Sequence, residues 1–471
     1  MYQSLLKFIV RRVPALKQLD DTMKDVMRRT STAMILRFSR TLISFVFNVI
    51  LARMLGADGV GVYFLAYTVT RIASIIGRVG LDQAVLRYVA AGSSQGQLNQ
   101  IVGVYRYAVL ITSTLSVLAT AIVFLSAPLF GQLFNEPSLV EPLRIMSFSI
   151  FPWALIFIQS RALQGMERIG DSIFIEMLGI PFVNIPLVLV MTAGYGLIGA
   201  AGSYVISTFL ILLLGVLLWR KITPDLRGVE GEFDLKLLMT TSMPLFWVDF
   251  TIIVMGMTDT LILGVLATST DVGIYDTAKR VSALAGAMLS PINMVVAPKF
   301  AGMYAKGEIQ KLGRLARNSA KFVTVISIPY LVLFMLVPEW ILSVFGSDFA
   351  EGAPALMVLA LSGFVNAFTG SVGFILVMTG NEKLMRNNAI ATSIFKIILQ
   401  LSLIPFLGFL GAAIATAIAD ATRNLISVYL VYRQFGIITI PIPDRLAKRF
   451  SKAAPASATS SQSTETAEEI S

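Results

Sequence analysis

The sequence predicts an all-α membrane protein with twelve transmembrane helices arranged in two six-helix bundles. Three observations lead to this fold class. Of the 471 residues, 56% are hydrophobic and only 14% are charged. The apolar residues form runs long enough to cross a bilayer, and Lys and Arg concentrate between alternate runs. Several short motifs from the first half of the chain also recur in the second half at a fixed spacing.

The composition excludes several classes of protein. Ordinary soluble domains carry roughly 25% charged residues, so a chain with 14% would be poorly covered by polar groups in water. The net charge of +10 does not indicate a nucleic-acid partner, because the basic residues alternate with apolar runs. The chain has no Cys and no His, which excludes disulfides, thiolate or imidazole metal sites and a Ser-His-Asp triad. It also lacks a GxxxxGK(S/T) phosphate loop, and we expect neither an enzyme nor a bound cofactor.

Twelve apolar runs are predicted to be membrane-spanning helices. A helix needs about 20 mostly apolar residues to cross the hydrocarbon core of a bilayer. In the first half, such runs cover residues 31–55, 60–80, 101–126, 143–163, 172–193 and 197–219. In the second half, they cover residues 240–267, 272–291, 322–345, 355–379, 384–407 and 410–432. Glycine, proline or charged residues separate one run from the next.

The loops between these runs predict the orientation of the chain. Short cytoplasmic loops are enriched in Lys and Arg, whereas external loops are not. Loops after even-numbered runs carry basic residues such as Arg87 and Arg168, whereas residues 131–141, 268–271 and 338–352 contain no Lys or Arg. We therefore expect a multi-pass protein of the cell membrane with both termini in the cytoplasm.

The two ends of the chain differ in composition from the rest. Residues 1–30 combine basic residues such as Arg11 and Arg12 with a short apolar run, which predicts an amphipathic cytoplasmic segment on the membrane surface. Residues 434–471 are predicted to form a cytoplasmic, largely disordered tail. Beyond Lys452 this tail consists mostly of Ala, Ser, Thr and Glu, which cannot form an apolar core.

An internal repeat divides the chain into two halves. Residues 60–63 (VGVY) recur as residues 272–275 (VGIY), and residues 196–201 (GLIGAA) recur as residues 408–413 (GFLGAA), both 212 positions later. We predict an N-terminal bundle at 31–220, a cytoplasmic linker at 221–239 and a C-terminal bundle at 240–433. Six spans in each half make the repeat parallel, with a central cavity between the bundles. This architecture favours transport by alternating access, although duplication without transport is an alternative.

A family resemblance adds to this interpretation. Residues 51–56 (LARMLG), 59–63 (GVGVY) and 79–90 (VGLDQAVLRYVA) resemble the opening of Wzx-type polysaccharide-biosynthesis flippases. That family belongs to the multidrug/oligosaccharidyl-lipid/polysaccharide (MOP) superfamily, together with lipid II flippases and MATE drug exporters. The resemblance covers residues 34–434 and implies a MATE-like fold. It implies that the chain moves a polyprenyl- or dolichyl-linked oligosaccharide from the inner to the outer leaflet. The expected partners are this substrate and membrane lipids, and we expect a monomer.

Basic residues within the spans are the candidate substrate-binding residues. A charge near the bilayer centre costs about 3 to over 10 kcal/mol unless it faces water or a partner. Arginine presents a planar fork that fits the oxygens of the phosphate or pyrophosphate implied by the resemblance. Arg71 is too deep to reach the inner headgroups easily, whereas shallower residues could extend to them. The predicted cationic cavity residues are Arg37, Arg40, Arg71, Arg78, Arg106, Lys279 and Arg280.

Charged residues of the second half are candidates for Na⁺ or H⁺ coupling or for structural ion pairs. They are Asp249, Asp259, Asp276, Lys396 and Asp420. Lys396 and Asp420 reach similar depths in neighbouring spans, so we expect them to pair. Asp276 precedes Arg280 by four residues on one helical face. A carboxylate paired with a basic group is a poor proton carrier near neutral pH, and the coupling ion stays open.

Two other functions are alternatives. A MATE-like antiporter of cations or drugs would need an acidic cavity, whereas the first two spans are basic. A membrane-embedded glycosyltransferase or polymerase would have large external loops rich in carboxylates. The longest external segment holds only Glu339, Asp348 and Glu351 as acidic residues.

Overall fold

The computed structural model describes the backbone of residues 21–226, 228–286 and 289–442. It describes side chains for residues 39–226, 228–284, 292–293 and 295–442. The predictions for the two ends of the chain concern residues that lie largely outside these ranges. The side chain of Arg37 also lies outside them.

All regular elements of the described residues are helical, which confirms the predicted all-α class. The N-terminal half contains α1 (Asp21–Arg78), α2 (Leu81–Gln95), α3 (Leu98–Leu133), α4 (Val140–Ser147), α5 (Ile150–Gly165), α6 (Ile169–Ile173) and α7 (Gly179–Ile222). The C-terminal half contains α8 (Leu235–Leu266), α9 (Ser269–Gly286), α10 (Leu289–Ala305), α11 (Ile309–Leu336), α12 (Pro338–Ser343), α13 (Ala353–Thr369), α14 (Val372–Met378) and α15 (Glu382–Phe435). A π-helical turn, Phe174–Leu178, joins α6 to α7.

Seven helical segments of the described residues are long and apolar enough to cross a membrane, or eight if the bent pair Pro137–Ser147 and Ile150–Gly165 is one span. The chain is therefore a multi-pass membrane protein. The number is below twelve partly because α1, α7 and α15 run through positions where the sequence predicted loops between spans. The count of twelve and the two-bundle layout stay predictions.

Each of these three long helices bends at a glycine. Gly56 in α1 has φ 68° and ψ 180°, Gly196 in α7 has φ 54° and ψ −134°, and Gly408 in α15 has φ 52° and ψ −132°. Residues with a Cβ atom rarely adopt positive φ, whereas glycine does so at little cost. Gly196 and Gly408 are 212 positions apart, so the local geometry recurs at the spacing of the sequence motif.

The closest approach between the two halves is the crossing of α1 and α9. A Cβ atom on Gly61 would lie 1.7 Å from the carbonyl oxygen of Ser269, and one on Gly273 would lie 2.0 Å from that of Ala57. The backbones are therefore in direct contact, which only glycine permits at these positions. We call the end of the molecule where α1 bends and α9 begins the Gly56 end.

Polar contacts reinforce the crossing at the Gly56 end. The Ser269 hydroxyl donates to Asp58, and its oxygen lies 2.8 Å from Oε2 of Glu136. The Arg53 Nε group donates to the carbonyl of Val344 at 2.8 Å. At the opposite end, Tyr88 of α2 hydrogen-bonds with Thr241 of α8 at 2.7 Å. The two halves thus contact each other at both ends.

The Gly61→Ala variant tests the α1–α9 crossing. The added methyl group must displace the backbone of Ser269, and overpacking of this kind costs about 1–3 kcal/mol. We expect a lower melting temperature for the purified protein in detergent. Gly302→Ala is the matched control, because a Cβ atom there meets nothing within 4 Å. Equal melting temperatures for Gly61→Ala and the wild type would contradict the backbone contact.

Candidate functional site

A cavity of about 310 Å³ lies among α1, α5, α7 and α9 at the depth of the apolar helices. Polar side chains contribute much of its wall, which is unusual inside a membrane protein and makes the cavity the candidate functional site. The polar lining residues are Arg40, Ser44, Asn48, Tyr63, Tyr67, Arg71, Glu176, Asn184, Tyr204 and Arg280. The remaining lining residues are Phe47, Phe64, Trp153, Phe157, Met177, Ile180 and Pro181.

Arg71 lines the cavity from α1. Its guanidinium carbon lies 4.0 Å from the ring centroid of Trp153 and 5.4 Å from that of Phe157. Aromatic faces attract a cation through their quadrupole, but they satisfy no N–H group. The Nε and Nη1 atoms of Arg71 are buried and have no hydrogen-bond partner among the described residues. The side chain forms no salt bridge with a described carboxylate, so its Nε and Nη1 donors have no acceptor in the described part of the chain.

Arg40 and Arg280 line the same cavity from opposite halves of the chain. The guanidinium carbon of Arg280 lies 4.1 Å from the ring centroid of Phe64, and its buried Nε atom has no partner among the described residues. Arg40 is exposed. Three guanidinium groups therefore meet at one cavity, although they are up to 240 positions apart in the sequence.

A second cavity of about 210 Å³ adjoins the first. It lies between α1 and α9 and is lined by residues such as Phe45, Val281 and Leu284. Arg40 and Arg280 line both cavities. We call this second cavity the cleft. The side of the first cavity at Arg40 and Arg280, where it adjoins the cleft, is its mouth, and the side formed by α5 and α7 is its inner wall.

The one carboxylate of the described lining, Glu176, is not among the candidates predicted from the sequence. Glu176 lies on the π-helical turn before α7, a feature found frequently at functional sites. Its carboxylate accepts a hydrogen bond from Ser160 at 2.5 Å and forms a salt bridge of 3.4 Å with Arg161. The signal was present in the sequence, because Glu176 is a charge within a predicted span. Its negative charge is compensated by Arg161 and leaves the cavity basic.

The described lining of the cavity does not include three of the predicted cationic residues, Arg78, Arg106 and Lys279. Arg78 is 2% exposed, and its Nη1 atom lies 3.7 Å from Asp82. Its guanidinium carbon lies 3.9 Å from the ring centroid of Phe157, behind the cavity wall. Arg106 is exposed on α3. Lys279 belongs instead to a buried charge cluster of the C-terminal half.

This C-terminal charge cluster surrounds Asp259, whose side chain is completely buried. Lys279 lies 2.6 Å from one carboxylate oxygen, and Lys396 forms a salt bridge with the other. Gln400 and Tyr275 donate to the same carboxylate at 2.6 and 2.9 Å. A buried ion held by two opposite charges and two further donors has its lost hydration replaced. The cluster joins α8, α9 and α15.

The predicted pairing of Lys396 with Asp420 is wrong. Asp420 pairs with Arg423 at 3.0 Å on its own helix, because a residue three positions away on a helix is a near neighbour. Lys396 turns to Asp259, which is buried and lacks water as a competing partner. Lys396 and Asp420 are thus in different environments, although the sequence predicts similar depths for them in the membrane.

The last two acidic candidates lie outside the cavity lining. The Asp276 carboxylate accepts from the Thr260 hydroxyl at 3.1 and 3.2 Å and forms no salt bridge with a described residue. It is one helical turn from Arg280 but not bonded to it. Asp249 of α8 is half-buried and accepts from Gln83 of α2 at 3.4 Å.

A transmembrane helical protein with a basic cavity, lined here by the N-terminal half and by Arg280 of α9, is typical of membrane transporters, and sequence comparison identifies the family. Residues 50–354 match the sequence profile of the polysaccharide biosynthesis protein family, and the chain belongs to this family. Relatives of this chain are named flippases, which are transporters, so the chain is not an enzyme.

Named relatives agree with this family. The chain is 23% identical over 414 residues to a Haloferax volcanii protein named probable low-salt glycan biosynthesis flippase Agl15, covering 83% of this chain and 82% of that protein. It is 25% identical over 171 residues to stage V sporulation protein B of Bacillus subtilis, covering 36% of this chain and 33% of that protein.

Solved structures show the fold. An inward-facing MATE multidrug transporter of the MOP superfamily matches with a TM-score of 0.69 and 14% identity, over 90% of this chain and 100% of that chain. The lipid II flippase MurJ in an inward closed conformation matches with a TM-score of 0.67 and 16% identity, over 89% of both chains. The predicted MATE-like fold is confirmed.

The Asp259→Asn variant tests the C-terminal charge cluster. Removing the carboxylate charge leaves the ammonium groups of Lys279 and Lys396, which are 33% and 16% exposed, without their anionic partner. Breaking a fully buried pair costs about 3–5 kcal/mol, which is the upper bound here because water reaches both lysines. We expect a large drop in melting temperature and in the yield of folded protein. Asp420→Asn is the matched control, since Asp420 is 34% exposed and pairs within its own helix. If both variants melted alike, Asp259 would not be the centre of the cluster.

Proposed function

We propose that this protein is a flippase that moves a lipid-linked oligosaccharide from the inner to the outer leaflet by alternating access. The polyprenyl or dolichyl carrier ends in a phosphate or pyrophosphate, and this anionic group binds in the basic cavity. The observation that carries the proposal is Arg71, a guanidinium at membrane depth whose Nε and Nη1 donors have no partner in the described part of the chain. An anion in the cavity would supply the missing acceptors.

The charge balance of the cavity favours this substrate over a cationic drug. Arg40, Arg71 and Arg280 face the cavity, against the single described carboxylate of Glu176. Arg161 already compensates that carboxylate at 3.4 Å. A cation entering the cavity would be repelled by three guanidinium groups in a medium that screens poorly. A MATE-like cation antiporter is therefore the weaker alternative, although the fold is shared.

The proposed layout in the membrane has twelve spans and both termini in the cytoplasm of a cell-membrane protein. Helix α1 has 58 residues, or about 87 Å at 1.5 Å per residue, and the apolar core of a bilayer is roughly 30 Å thick. Its bend at Gly56 would then be an external turn between two spans. This layout places the Gly56 end outside, and outward opening would separate α1 from α9 at Gly61 and Gly273. We propose that a monomer is sufficient.

The adjoining cleft suggests where the lipid chain lies. A polyprenyl tail is apolar and stays in the bilayer while its head enters a polar chamber. The cleft between α1 and α9 joins the cavity at Arg40 and Arg280, and its other lining residues include Phe45, Val281 and Leu284. The phosphate would rest at the arginines while the tail extends through the apolar part of the cleft.

Coupling to Na⁺ or H⁺ is part of the proposal at a single residue. Asp259 already faces two ammonium groups, which oppose a further cation at that carboxylate. Asp276 is buried and has no salt-bridge partner among the described residues. It also lies one turn from Arg280, which faces the substrate. We propose Asp276 as the carboxylate through which ion binding would act on the cavity.

Replacement of Arg71 by Gln tests the proposed function. The variant keeps a polar side chain but loses the charged fork, and a hydrogen bond to a charged group contributes about 1.5–3 kcal/mol. We expect flipping of a fluorescent polyprenyl-diphosphate saccharide in proteoliposomes to fall about 10- to 100-fold. The flipping rate of Arg71→Lys should lie between those of the wild type and Arg71→Gln, because lysine keeps the charge without the planar fork.

The matched control is Arg168→Gln in a cytoplasmic loop, where Arg168 is half exposed and pairs with Asp171 at 2.8 Å. Its flipping rate should equal that of the wild type. Unchanged flipping in Arg71→Gln would remove the anion site from the cavity. Efflux of a cationic dye by the same proteoliposomes, with no lipid flipping, would support the antiporter instead.

A further inference from the structure

We infer that the inner wall of the cavity is a saccharide subsite, which binds hydrogen-bond donors of the sugar attached to the phosphate through Asn184 and Glu176. The inference rests on the proposed function and adds to it a division of the cavity into two chemically different parts. Cationic donors bind the phosphate, and neutral or compensated acceptors bind the sugar.

The primary observation is an amide oxygen without a donor. Asn184 is 1% exposed, lines the cavity from α7, and its Oδ1 atom has no hydrogen-bond partner among the described residues. Buried polar atoms in folded proteins nearly always have a partner, and an exception requires an explanation. An acceptor cannot bind phosphate oxygens, which are acceptors themselves. The atom is therefore suited to a hydroxyl or an amide N–H group of a ligand.

Glu176 presents a second acceptor on the same wall. Residues 176, 180 and 184 are spaced by four, which places them along one side of a helix, and all three line the cavity. Ser160 and Arg161 hold the carboxylate in position with one contact to each oxygen. A carboxylate has about four acceptor positions, so further donors can bind it. Because Arg161 compensates its charge, Glu176 repels a neighbouring phosphate only weakly.

The aromatic residues connect this wall to the phosphate position. The indole N–H of Trp153 donates to the hydroxyl of Tyr204, which fixes both rings in the wall. The Trp153 ring also lies 4.0 Å from the guanidinium carbon of Arg71. A phosphate bound to Arg71 would thus hold its ester-linked sugar against the inner wall. Hydroxyl groups on a sugar ring are dense enough to reach more than one acceptor at once.

The opposite side of the cavity has a different balance of charge, although Asn48 lines both cavities there and its buried Oδ1 atom also has no hydrogen-bond partner among the described residues. At the mouth, Arg40 and Arg280 are the charged residues, and no described carboxylate lines the adjoining cleft. The cleft is otherwise lined largely by apolar side chains such as Phe45 and Leu284. The lipid tail therefore extends through the cleft and the sugar occupies the inner wall, with the phosphate between them.

Binding of two lipids that differ only in the sugar tests the subsite. The probes are undecaprenyl diphosphate and the same lipid bearing a single hexose or N-acetylhexosamine. Binding to purified wild type and to Asn184→Leu, Glu176→Gln and Arg71→Gln is measured in detergent. We expect Asn184→Leu and Glu176→Gln to weaken binding of at least one glycosylated lipid about tenfold, the loss of one good hydrogen bond. Their affinity for undecaprenyl diphosphate should be unchanged.

Two controls separate the subsite from other effects. Asn387→Leu changes an exposed asparagine of α15 and should bind every probe like the wild type. Melting curves without lipid identify a variant that fails to fold, and the near-isosteric Glu176→Gln variant then carries the test. Arg71→Gln should weaken binding of all probes, with or without sugar.

The outcomes distinguish the subsite from the proposed function. Equal affinity of the wild type and both wall variants for every glycosylated lipid would overturn the subsite, while loss of binding in Arg71→Gln would leave the flippase intact. A parallel loss of glycosylated and unglycosylated lipid in the wall variants would also overturn it. A wild type that binds none of the probes, or an Arg71→Gln variant with full affinity, would reject the flippase itself and the subsite with it.

Discussion

The arginine at membrane depth is the constraint to which the rest of the cavity responds. A guanidinium cannot be deprotonated in a protein, and it is too costly to leave in hydrocarbon. The structure places aromatic rings of Trp153 and Phe157 beside Arg71 but no carboxylate within salt-bridge distance among the described residues. Its remaining donors require water or an anion. The polar cavity beside α1 meets this requirement, and the proposed function places an anionic group there.

The two halves treat their buried charges in opposite ways. In the C-terminal half, the Asp259 carboxylate is enclosed by two ammonium groups and two neutral donors, an arrangement that holds three helices together. In the cavity, the cations are left without such partners. A compensated cluster gives rigidity, whereas uncompensated donors give binding. Under the proposed function, this asymmetry corresponds to a structural role for the cluster around Asp259 and a ligand-binding role for the cavity, although the two halves share sequence motifs.

Two glycines allow the backbones of α1 and α9 to touch where the halves cross. Contact between the backbones of α1 and α9 at Gly61 and Gly273 closes the Gly56 end without any side chain between them. Such a contact holds the helices close yet includes few interdigitated side chains to pull apart. The contacts at the opposite end use polar groups on α2 and α8, such as Tyr88 and Thr241. The alternating access proposed for this protein would open these two ends one at a time, and the two ends would then break different kinds of contact.

The sequence by itself determined that the protein lies in a membrane and is helical, and it singled out Arg71 as a candidate binding residue. Hydrophobic runs and the distribution of Lys and Arg are local properties, so they can be read without knowing which helices touch. The resemblance in residues 51–90 identified the family for the same reason. The repeat at a spacing of 212 pointed to Gly196 and Gly408, whose bends have nearly the same backbone angles.

Tertiary structure alone decided which charges meet. Depth along a helix is set by residue number, but the direction a side chain faces depends on how each helix is rotated and packed. Lys396 and Asp420 share a depth yet have other partners, and Arg78 is buried behind the wall that Arg71 lines. Glu176 and Asn184 reach the cavity through a π-helical turn and the packing of α7 against α5. Those contacts are long-range, and no local pattern encodes them.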